Sequence, residues 1–553
     1  MKKNVLALSI TAALIGLTGG AHAMSGFGEL RGSTADSFIT NTAGVGHALV
    51  VPYFSTQGNN TTLINIVNTD SVGKVLKVRF RGAANSDDLF DFQVFLSPYD
   101  VWTASLSKGV TDGKTRLTTV DNSCTKPSKT ILNGTPFITT RLDPQLTDAQ
   151  KANGTREGYV EVFNMADIVP GSALATGITH SQSTGIPPLC GGTPSAAQTA
   201  VWNALDESNT LLTYAKATTT LNLANPTTGV LGNWTIIDTE NTATWSGSAT
   251  ALEAVSAAAP FVKQTGNIVY FPQISELLPT TADNMTADPV FVAALRATAG
   301  NTKWLTLDLP DMSTPYVSAV LPVTTLAVTA SKQSNLLSGA IATTSISNEF
   351  WTESAFAASN DWVISQFGRR YAAAIDYTIG TDLYTAGTYY YAKTDNVRVK
   401  ANAGNGRQLC LYKPGVFTAS PVDREEKVPV GDPTQVVISP NDPKETPALE
   451  LCGEVAVMSI NNGGVAAGSG ALKASVALTD YDSTVLGGSA PQRYGWIKMA
   501  LPSLTANPGY GLPVLGGSFV RAALGTKGFG AKYEHNYARP TMVRTDLTSF
   551  DIK

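Results

Sequence analysis

Hydrophobic and polar positions alternate along several short segments of the chain. In residues 90–97 the even positions are apolar, whereas three of the four odd positions are polar or charged. A repeat of two is typical of a β-strand that buries one face. The same repeat occurs in residues 61–69, 74–82, 101–106 and 157–168. The pattern predicts short antiparallel strands with turn residues between them, as in a β-sandwich.

The tetrapeptide Ser97-Pro98-Tyr99-Asp100 separates two of these strands. Proline pre-sets the backbone angle that a turn needs, and an aspartate side chain can accept a hydrogen bond from a nearby backbone N–H group. Trp102 then falls on the apolar side of the second strand. We therefore expect Trp102 in the core and Tyr99 exposed at the tip of the turn.

The pattern also divides the 553 residues, which are more than one hydrophobic core usually supports. Alternating segments fill residues 28–175 and return after residue 340, whereas residues 176–335 mix helix-like and strand-like segments. We predict a mainly β protein with two antiparallel, Ig-like β-sandwich domains. These are an N-terminal sandwich at 28–175 and a C-terminal sandwich at 340–553, with a mixed α/β insert or second domain at 176–335.

Two segments of the middle region carry helix signals. Residues 193–205 begin with Thr193 as a candidate N-cap and Pro194 in the first turn, followed by apolar residues at helical spacing. Residues 288–300 repeat the arrangement, with Asp288 before a proline and a glycine at the end. We expect a helix in both segments.

The first 23 residues have the layout of a cleavable secretory leader. Two lysines precede an apolar run from Val5 to Leu17, and the segment ends on small residues at Ala21 and Ala23. We therefore predict a signal peptide at 1–23 and a protein exported to the periplasm, the cell surface or the medium. No later run of about 18 apolar residues predicts a membrane-spanning helix in the mature chain.

The composition is poor in charge. Charged residues make up 15% of the chain, against roughly 25% in an average globular domain. Loss of the two leader lysines takes the formal net charge from −4 to −6. A chain without a basic face is not expected to bind nucleic acid.

Four cysteines follow the predicted leader. An even number in an exported chain favours disulfides over metal ligation, and the spacings do not resemble those of zinc sites. Three pairings are compatible with four cysteines. We predict Cys124–Cys190 and Cys410–Cys452, because each closes a loop within one probable domain; free buried thiols are the alternative.

Motifs of catalysis are missing from the sequence. No nucleophile elbow, phosphate-binding loop or zinc-binding helix motif occurs, and His47, His180 and His535 are far apart. A catalytic triad of distant residues remains compatible with the sequence. Glu157 and Glu161 could serve a glycosidase, but on a strand they are expected on one solvated face. We therefore predict a non-enzymatic protein with no catalytic residues and no organic cofactor.

Two kinds of binding site are candidates. Calcium is the candidate metal, because extracellular β-domains often bind it with acidic loops, although charge on a solvated turn also explains the same residues. A ligand could contact aromatic residues at loop tips. The candidate calcium residues are Asp87, Asp88, Asp91, Asp480 and Asp482, and the candidate ligand contacts are Tyr99, Tyr389, Tyr390 and Tyr391.

Lysines, arginines and aromatic residues alternate in the tail that begins at Gly525. This segment predicts either a closing strand with an extension, or an arm that docks on a neighbouring subunit or on anionic lipopolysaccharide.

Four longer segments resemble a group of secreted proteins of Gram-negative bacteria, described as cell-surface or uncharacterised proteins. They are ALVVPYFSTQGNNTTLINIVNTD, VRFRGAANSDDLFDFQVFLSPYDVWTASL, GYVEVFNMADI and SNEFWTESAFAASNDWVISQFGRRY. The resemblance implies secretion and a β-rich fold, and it carries no catalytic residues.

Two functions fit these observations. The first is a structural cell-surface protein that associates with itself into a layer or filament, or with other envelope components. The alternative is a secreted adhesin, or a module that binds a glycan or another ligand.

Overall fold

The structure is a computed structural model. It describes residues 33–206, 216–256, 262–270, 312, 314, 316–317, 326–377, 380–384, 390–391, 397–402, 406–412, 419–423, 450–460, 470–478, 493–503, 510–525 and 527–539. Strands account for 48% of the structure and helices for 15%, so the prediction of a mainly β protein is confirmed. The predicted signal peptide lies outside the described residues.

Fourteen strands lie in the described residues up to 263. They are β1 Ser37–Thr40, β2 Ala48–Ser55, β3 Asn60–Asn68, β4 Gly73–Gly82, β5 Asp88–Leu96, β6 Val101–Lys108, β7 Thr115–Thr118, β8 Cys124–Lys126, β9 Glu157–Ile168, β10 Leu223–Ala224, β11 Val230–Asp238, β12 Ala243–Ser248, β13 Thr250–Ser256 and β14 Val262–Lys263.

Fifteen further strands lie in the described residues after 340. They are β15 Ala342–Thr343, β16 Ser345–Trp351, β17 Ser359–Ser365, β18 Ala373–Asp376, β19 Thr381–Tyr384, β20 Val397–Asn402, β21 Gly406–Tyr412, β22 Ala419–Asp423, β23 Glu450–Cys452, β24 Val455–Ile460, β25 Tyr494–Ala500, β26 Leu512–Pro513, β27 Leu515–Leu524, β28 Lys527–Glu534 and β29 Asn536–Ala538.

The described residues also form five α-helices. They are α1 Lys129–Gly134, α2 Asp148–Gly154, α3 Ala173–Ile178, α4 Ala196–Ala204 and α5 Leu326–Ile341. Within the part of the chain that the structure describes, no helix is both long enough and apolar enough to cross a membrane.

The predicted helix at 193–205 exists as α4, but it begins later than expected. Ser195, and not Thr193, is its N-cap, because the Ser195 side chain accepts from the Gln198 N–H while the Gln198 side chain accepts from the Ser195 N–H. This reciprocal capping box satisfies two helix-end N–H groups at once. The predicted helix at 288–300 lies outside the described residues.

Two antiparallel sheets form the first part of the fold. The larger sheet has the order β1-β13-β2-β9-β4-β5-β8, with β10 paired to β9 and β14 paired to β13. The smaller sheet has the order β12-β11-β3-β6-β7. Strands β11 to β13 belong to residues 230–256, so the N-terminal sheets continue beyond the predicted boundary at residue 175.

One core joins the two N-terminal sheets. The rings of Phe92 on β5 and Trp102 on β6 lie 5.4 Å apart between centroids, and Trp102 is fully buried. Tyr99 is 71% exposed at the turn, as expected. The same core extends to Phe519 on β27, whose ring stacks on Trp234 of β11.

The C-terminal part contains two four-stranded sheets, with the orders β22-β25-β16-β29 and β24-β17-β27-β28. Phe350 of the first sheet and Trp362 of the second share a second core. Smaller antiparallel assemblies complete this part, namely β20-β21-β23, β15-β26 and β18-β19.

The centre of the large sheet is buried on both faces. Strands β4, β5 and β9 bury every residue, although their alternation predicts one face in solvent. The polar face is covered by residues 369–377, where the Tyr371 hydroxyl donates to Glu161 at 3.1 Å and accepts from Arg81 at 2.9 Å. The expectation that Glu157 and Glu161 lie on a solvated face is therefore wrong.

Ion pairs neutralise the covered face. A buried charge is tolerated only when it is paired and hydrogen-bonded. The partners come from the neighbouring strand and from distant parts of the chain. The pairs are Arg79–Asp88 at 2.5 Å, Arg141–Asp88 at 3.1 Å, Lys77–Asp91, Arg370–Asp87 at 3.3 Å and Arg369–Glu454 at 3.0 Å.

Residues 470–478 join the two parts of the chain through Glu157. Its carboxylate accepts from the backbone N–H groups of Ser475 at 2.9 Å, Val476 at 2.6 Å and Ala477 at 2.8 Å. Burial raises the pKa of Glu157, while these three N–H groups favour its charged form. The carboxylate thus holds a C-terminal segment against the N-terminal sheet.

Both predicted disulfides are present. Cys124–Cys190 links β8 to the one-turn helix Pro188–Cys190, and Cys410–Cys452 joins register partners on β21 and β23. The linked cysteines are 66 and 42 residues apart.

Replacing Cys410 and Cys452 together with serine should lower the free energy of unfolding by about 4 kcal/mol, because the cross-link restricts the unfolded chain. Denaturant titration at equilibrium measures this change. The corresponding Cys124/Cys190 double variant should lose a similar amount, and an unchanged midpoint in either variant would contradict the estimate.

Glu157→Gln should lower the free energy of unfolding by about 2 kcal/mol, because at least one buried backbone N–H loses its acceptor. Glu534→Gln is the matched control, since the Glu534 side chain is 61% exposed. Urea denaturation of both variants tests the prediction. Equal midpoints for the two variants would show that the carboxylate does not hold residues 470–478.

Candidate functional site

An open groove lined by aromatic residues lies between the two C-terminal four-stranded sheets. Its volume is about 600 Å³. We call it the aromatic groove, and its lining residues are Glu349, Phe350, Trp351, Tyr494, Gly495, Trp496, Val520, Phe529, Ala531 and Tyr533.

The first wall of the groove is formed by the paired strands β16 and β25. Trp351 lies opposite Tyr494, and Glu349 lies opposite Trp496. Residues two apart on a strand share a face. These four side chains therefore lie on the outer face, and Phe350 points into the second core.

The second wall of the groove is formed mainly by β28, whose residues point alternately towards and away from the groove. Phe529 and Tyr533 are each 44% exposed, whereas Gly528 and Gly530 occupy the opposite face. A Cβ atom at Gly528 would lie 1.8 Å from the Asn241 carbonyl oxygen. The glycines thus allow β28 to lie against β12, and the aromatic residues between them face the groove.

Trp351 joins the two walls. Its ring stacks on Tyr494 at 6.4 Å and on Phe529 at 6.2 Å between centroids. It also contacts Phe356 at 5.7 Å. Aromatic pairs with this spacing add stability beyond the area that they bury. The groove is therefore a preformed surface of packed rings.

Glu353 fixes the edge of the first wall. Its carboxylate accepts from the Ala355 N–H at 3.1 Å, from Arg493 at 2.8 Å and from the Tyr494 hydroxyl at 3.1 Å. These contacts, the Ala355 N–H above all, lower the pKa of Glu353. The Tyr494 ring is therefore held in one orientation by a carboxylate that stays charged.

A second cavity of about 670 Å³ lies between β8 and α4, beside Cys190. Lys126 lies in it, with its ammonium 4.1 Å from the Trp202 ring centroid and 2.5 Å from Asp206. The principal cation of this cavity is thus already bound to a ring and a carboxylate. In the aromatic groove, by contrast, the rings of Trp496, Phe529 and Tyr533 are exposed to a ligand.

The predicted ligand tyrosines do not form one site. Tyr99 is exposed at the β5–β6 turn, far along the chain from the groove. Tyr390 and Tyr391 are each 2% exposed and belong to the second core, so neither is an exposed loop tip. Tyr389 lies outside the described residues.

The candidate calcium residues at 87–91 are buried partners of basic side chains. Asp87 pairs with Arg370 and accepts from the Tyr377 hydroxyl at 2.6 Å. Asp88 and Asp91 pair with other cations of the covered face. The expectation of a solvated turn is therefore wrong. Asp480 and Asp482 lie outside the described residues.

In the part of the chain that the structure describes, one other cluster has metal-ligating residue types, namely Cys410, Glu450 and Cys452. Both cysteines are consumed in the disulfide, so they offer no thiolate. Glu450 accepts from Arg398 at 2.7 Å and from Lys400 at 2.9 Å. The cluster is explained by these contacts.

Two histidines are core residues. Burial lowers the pKa of His47 and of His535 to about 3. The Nδ1 atom of His47 accepts from the Ala254 N–H at 3.1 Å. A proton on this nitrogen would face that donor, so the fold requires the neutral ring.

His180 is partly exposed and lies 3.6 Å from Asp100, measured from Nδ1 to Oδ2. The nearby Ser123 hydroxyl donates to Asp121 at 2.7 Å and lies 3.3 Å from Asp100, and it does not donate to the imidazole. A catalytic triad needs the histidine between the hydroxyl and the carboxylate. These three side chains do not have that order.

The sequence analysis missed the aromatic groove. Its lining residues come from four strands, at residues 345–351, 494–500, 515–524 and 527–534, and no pattern within one segment brings them together. The tail at 527–534 is a strand, as one of the two interpretations expects. The alternation of glycine with aromatic residues in this strand was the sequence signal that could have indicated the groove.

Comparisons with known proteins found no relative. No protein-family model matches the chain, and searches of curated proteins and of solved structures gave no significant match. The proposed function is therefore based on the groove and on the chemistry of its side chains.

The two core histidines predict a loss of stability in mild acid. In the unfolded chain a histidine binds a proton near pH 6.5, whereas the folded protein keeps both rings neutral down to about pH 3. The unfolded state then binds more protons, so stability falls as the pH falls below 6.5. Each histidine should cost about 2 kcal/mol between pH 7 and pH 5.

His535→Gln isolates this effect. The difference in unfolding free energy between wild type and variant should shrink by about 2 kcal/mol from pH 7 to pH 5, because other groups titrate alike in both. Denaturant titrations at the two pH values measure it. A difference that stays constant would refute the neutral buried ring.

Proposed function

We propose that the protein is a secreted, non-catalytic cell-surface protein that binds a glycan chain in the aromatic groove. The observation that supports this most is the pair of ring-lined walls, with Trp496, Phe529 and Tyr533 each more than 40% exposed. Exposed aromatic residues that cluster, instead of occurring singly, mark binding surfaces.

The size of the groove favours a small or chain-like ligand. Its volume of about 600 Å³ lies within the roughly 300–1,000 Å³ that is usual for ligand sites. Protein partners instead cover roughly 800 Å² of a flatter surface. An open groove also lets a polymer pass through without a free end.

The side chains of the groove suit a sugar. Sugar rings present flat C–H faces, which stack on aromatic rings, and hydroxyl groups at their edges. Tyrosine and tryptophan combine an apolar ring with a polar atom, so they serve surfaces that are partly wet. Glu349 and the Tyr533 hydroxyl can hydrogen-bond to sugar hydroxyls at the rim.

The scaffold in this proposal is a pair of Ig-like β-sandwich domains on an exported protein. Support comes from the two N-terminal sheets around one core and from the two four-stranded C-terminal sheets around another. Export is supported by the leader-like residues 1–23 and by the two disulfides, which persist in oxidising compartments.

Self-assembly into a layer or filament is the competing hypothesis. In that case the groove would receive a second copy of the chain in place of a glycan. Sedimentation velocity over a wide range of protein concentration distinguishes the two. Growth of large species that the groove variant Trp496→Ala abolishes would favour assembly and contradict the glycan proposal.

Trp496→Ala should weaken glycan binding about 30-fold, because an exposed aromatic residue at the centre of a site contributes about 2 kcal/mol. A glycan array with the full chain identifies ligands, and isothermal titration calorimetry measures their affinity. Tyr99→Ala is the matched control, since Tyr99 is exposed but lies outside the groove.

Binding that survives Trp496→Ala but is lost in Tyr99→Ala would move the site to the turn at 97–100. An array without ligands, confirmed by titrations that release no heat, would overturn the proposal.

A further inference from the structure

The described lining of the groove contains one acidic side chain and no basic one. Among the ten described lining residues only Glu349 has a carboxyl group, and none is lysine, arginine or histidine. Its side chain is exposed and lies across the strand pair from Trp496. Two basic residues lie near the groove but are not among its lining residues. Lys498 lies two residues beyond Trp496, opposite Ser347, and Arg493 forms an ion pair with Glu353. The groove therefore has a local negative charge beside ring faces.

Elsewhere the chain places an ammonium group between a tryptophan ring and a carboxylate. Lys126 lies 4.1 Å from the Trp202 ring centroid and 2.5 Å from Asp206. Lys532 lies 5.1 Å from the Trp234 ring centroid and pairs with Glu534. In both cases the ring quadrupole and the carboxylate attract the same cation.

The groove holds two members of this arrangement. Trp496 supplies a ring that is 45% exposed, and Glu349 supplies the carboxylate. The lining residues that the structure describes include no lysine or arginine to supply the cation. A ligand with an ammonium group would complete the arrangement, whereas a carboxylate or sulfate group would be repelled.

We propose that the groove selects glycans with free, protonated amino groups, and that Glu349 is the residue that selects them. This inference rests on the proposed glycan function. It narrows the ligand to a basic amino sugar, in which the ring stacks on the aromatic walls and the ammonium group lies near Glu349.

Calorimetric titration with two hexasaccharides of β-1,4-linked glucosamine tests the inference. One is fully N-acetylated and neutral, and the other is fully deacetylated and cationic at pH 6. We expect the cationic hexamer to bind roughly five- to tenfold more tightly in low salt, with the preference decreasing as salt screens the charge. Far-UV circular dichroism under the same conditions checks that the protein is folded.

Two variants separate charge from stacking. Glu349→Gln should abolish the preference by weakening the cationic hexamer more than the neutral one, because glutamine keeps a hydrogen-bonding oxygen but loses the charge. Glu534→Gln, outside the groove, should leave the preference intact. Equal affinity for the two hexamers in wild type, or a preference that survives Glu349→Gln, would overturn the inference and leave the glycan proposal standing. Failure of both hexamers and of all other glycans to bind would overturn the glycan proposal itself.

Discussion

The fold depends on neutralising a charged face inside the molecule. Strands β4, β5 and β9 bring Lys77, Arg79, Arg81 and Glu161 to one side of the large sheet, and that side is covered. Removing such groups from water costs several kcal/mol for each ion unless partners are well placed. The partners come from residues 85–91, 141, 369–377 and 454, so the sheet can be covered only by this particular arrangement of the chain. A segment that covers the sheet through hydrophobic contacts alone could pack in many positions. A segment that must pair buried charges can pack in only a few.

Local features of the fold could be predicted from the sequence because they depend on neighbouring residues. The strands around 61–69, 74–82 and 157–168, the turn at Tyr99 and the buried Trp102 follow from alternation and turn chemistry. Both disulfides follow from loop closure. The burial of Glu157 and of Asp87 could not be predicted, because a polar face that meets a paired partner has the same pattern as one that meets water.

The aromatic groove shows the same limit. Trp351, Trp496 and Phe529 each stand in an ordinary alternating strand, and only the approach of two sheets makes them one surface. The position of β28 also depends on glycines, because Gly528 and Gly530 allow it to lie against β12, a strand of the N-terminal sheets. The candidate site is therefore positioned by residues from both parts of the chain, although every lining residue comes from the C-terminal part.

The contact between Arg81 and Tyr371 joins residues 290 positions apart, and the contacts of Glu157 span more than 300. Contacts at such separations form slowly, and a chain emerging from the ribosome presents its N-terminal part first. During synthesis the charged face of the large sheet therefore has no cover until residues 369–377 and 470–478 have been made. The N-terminal sheets thus depend on C-terminal segments to complete their centre, and a product truncated before residue 369 lacks those partners.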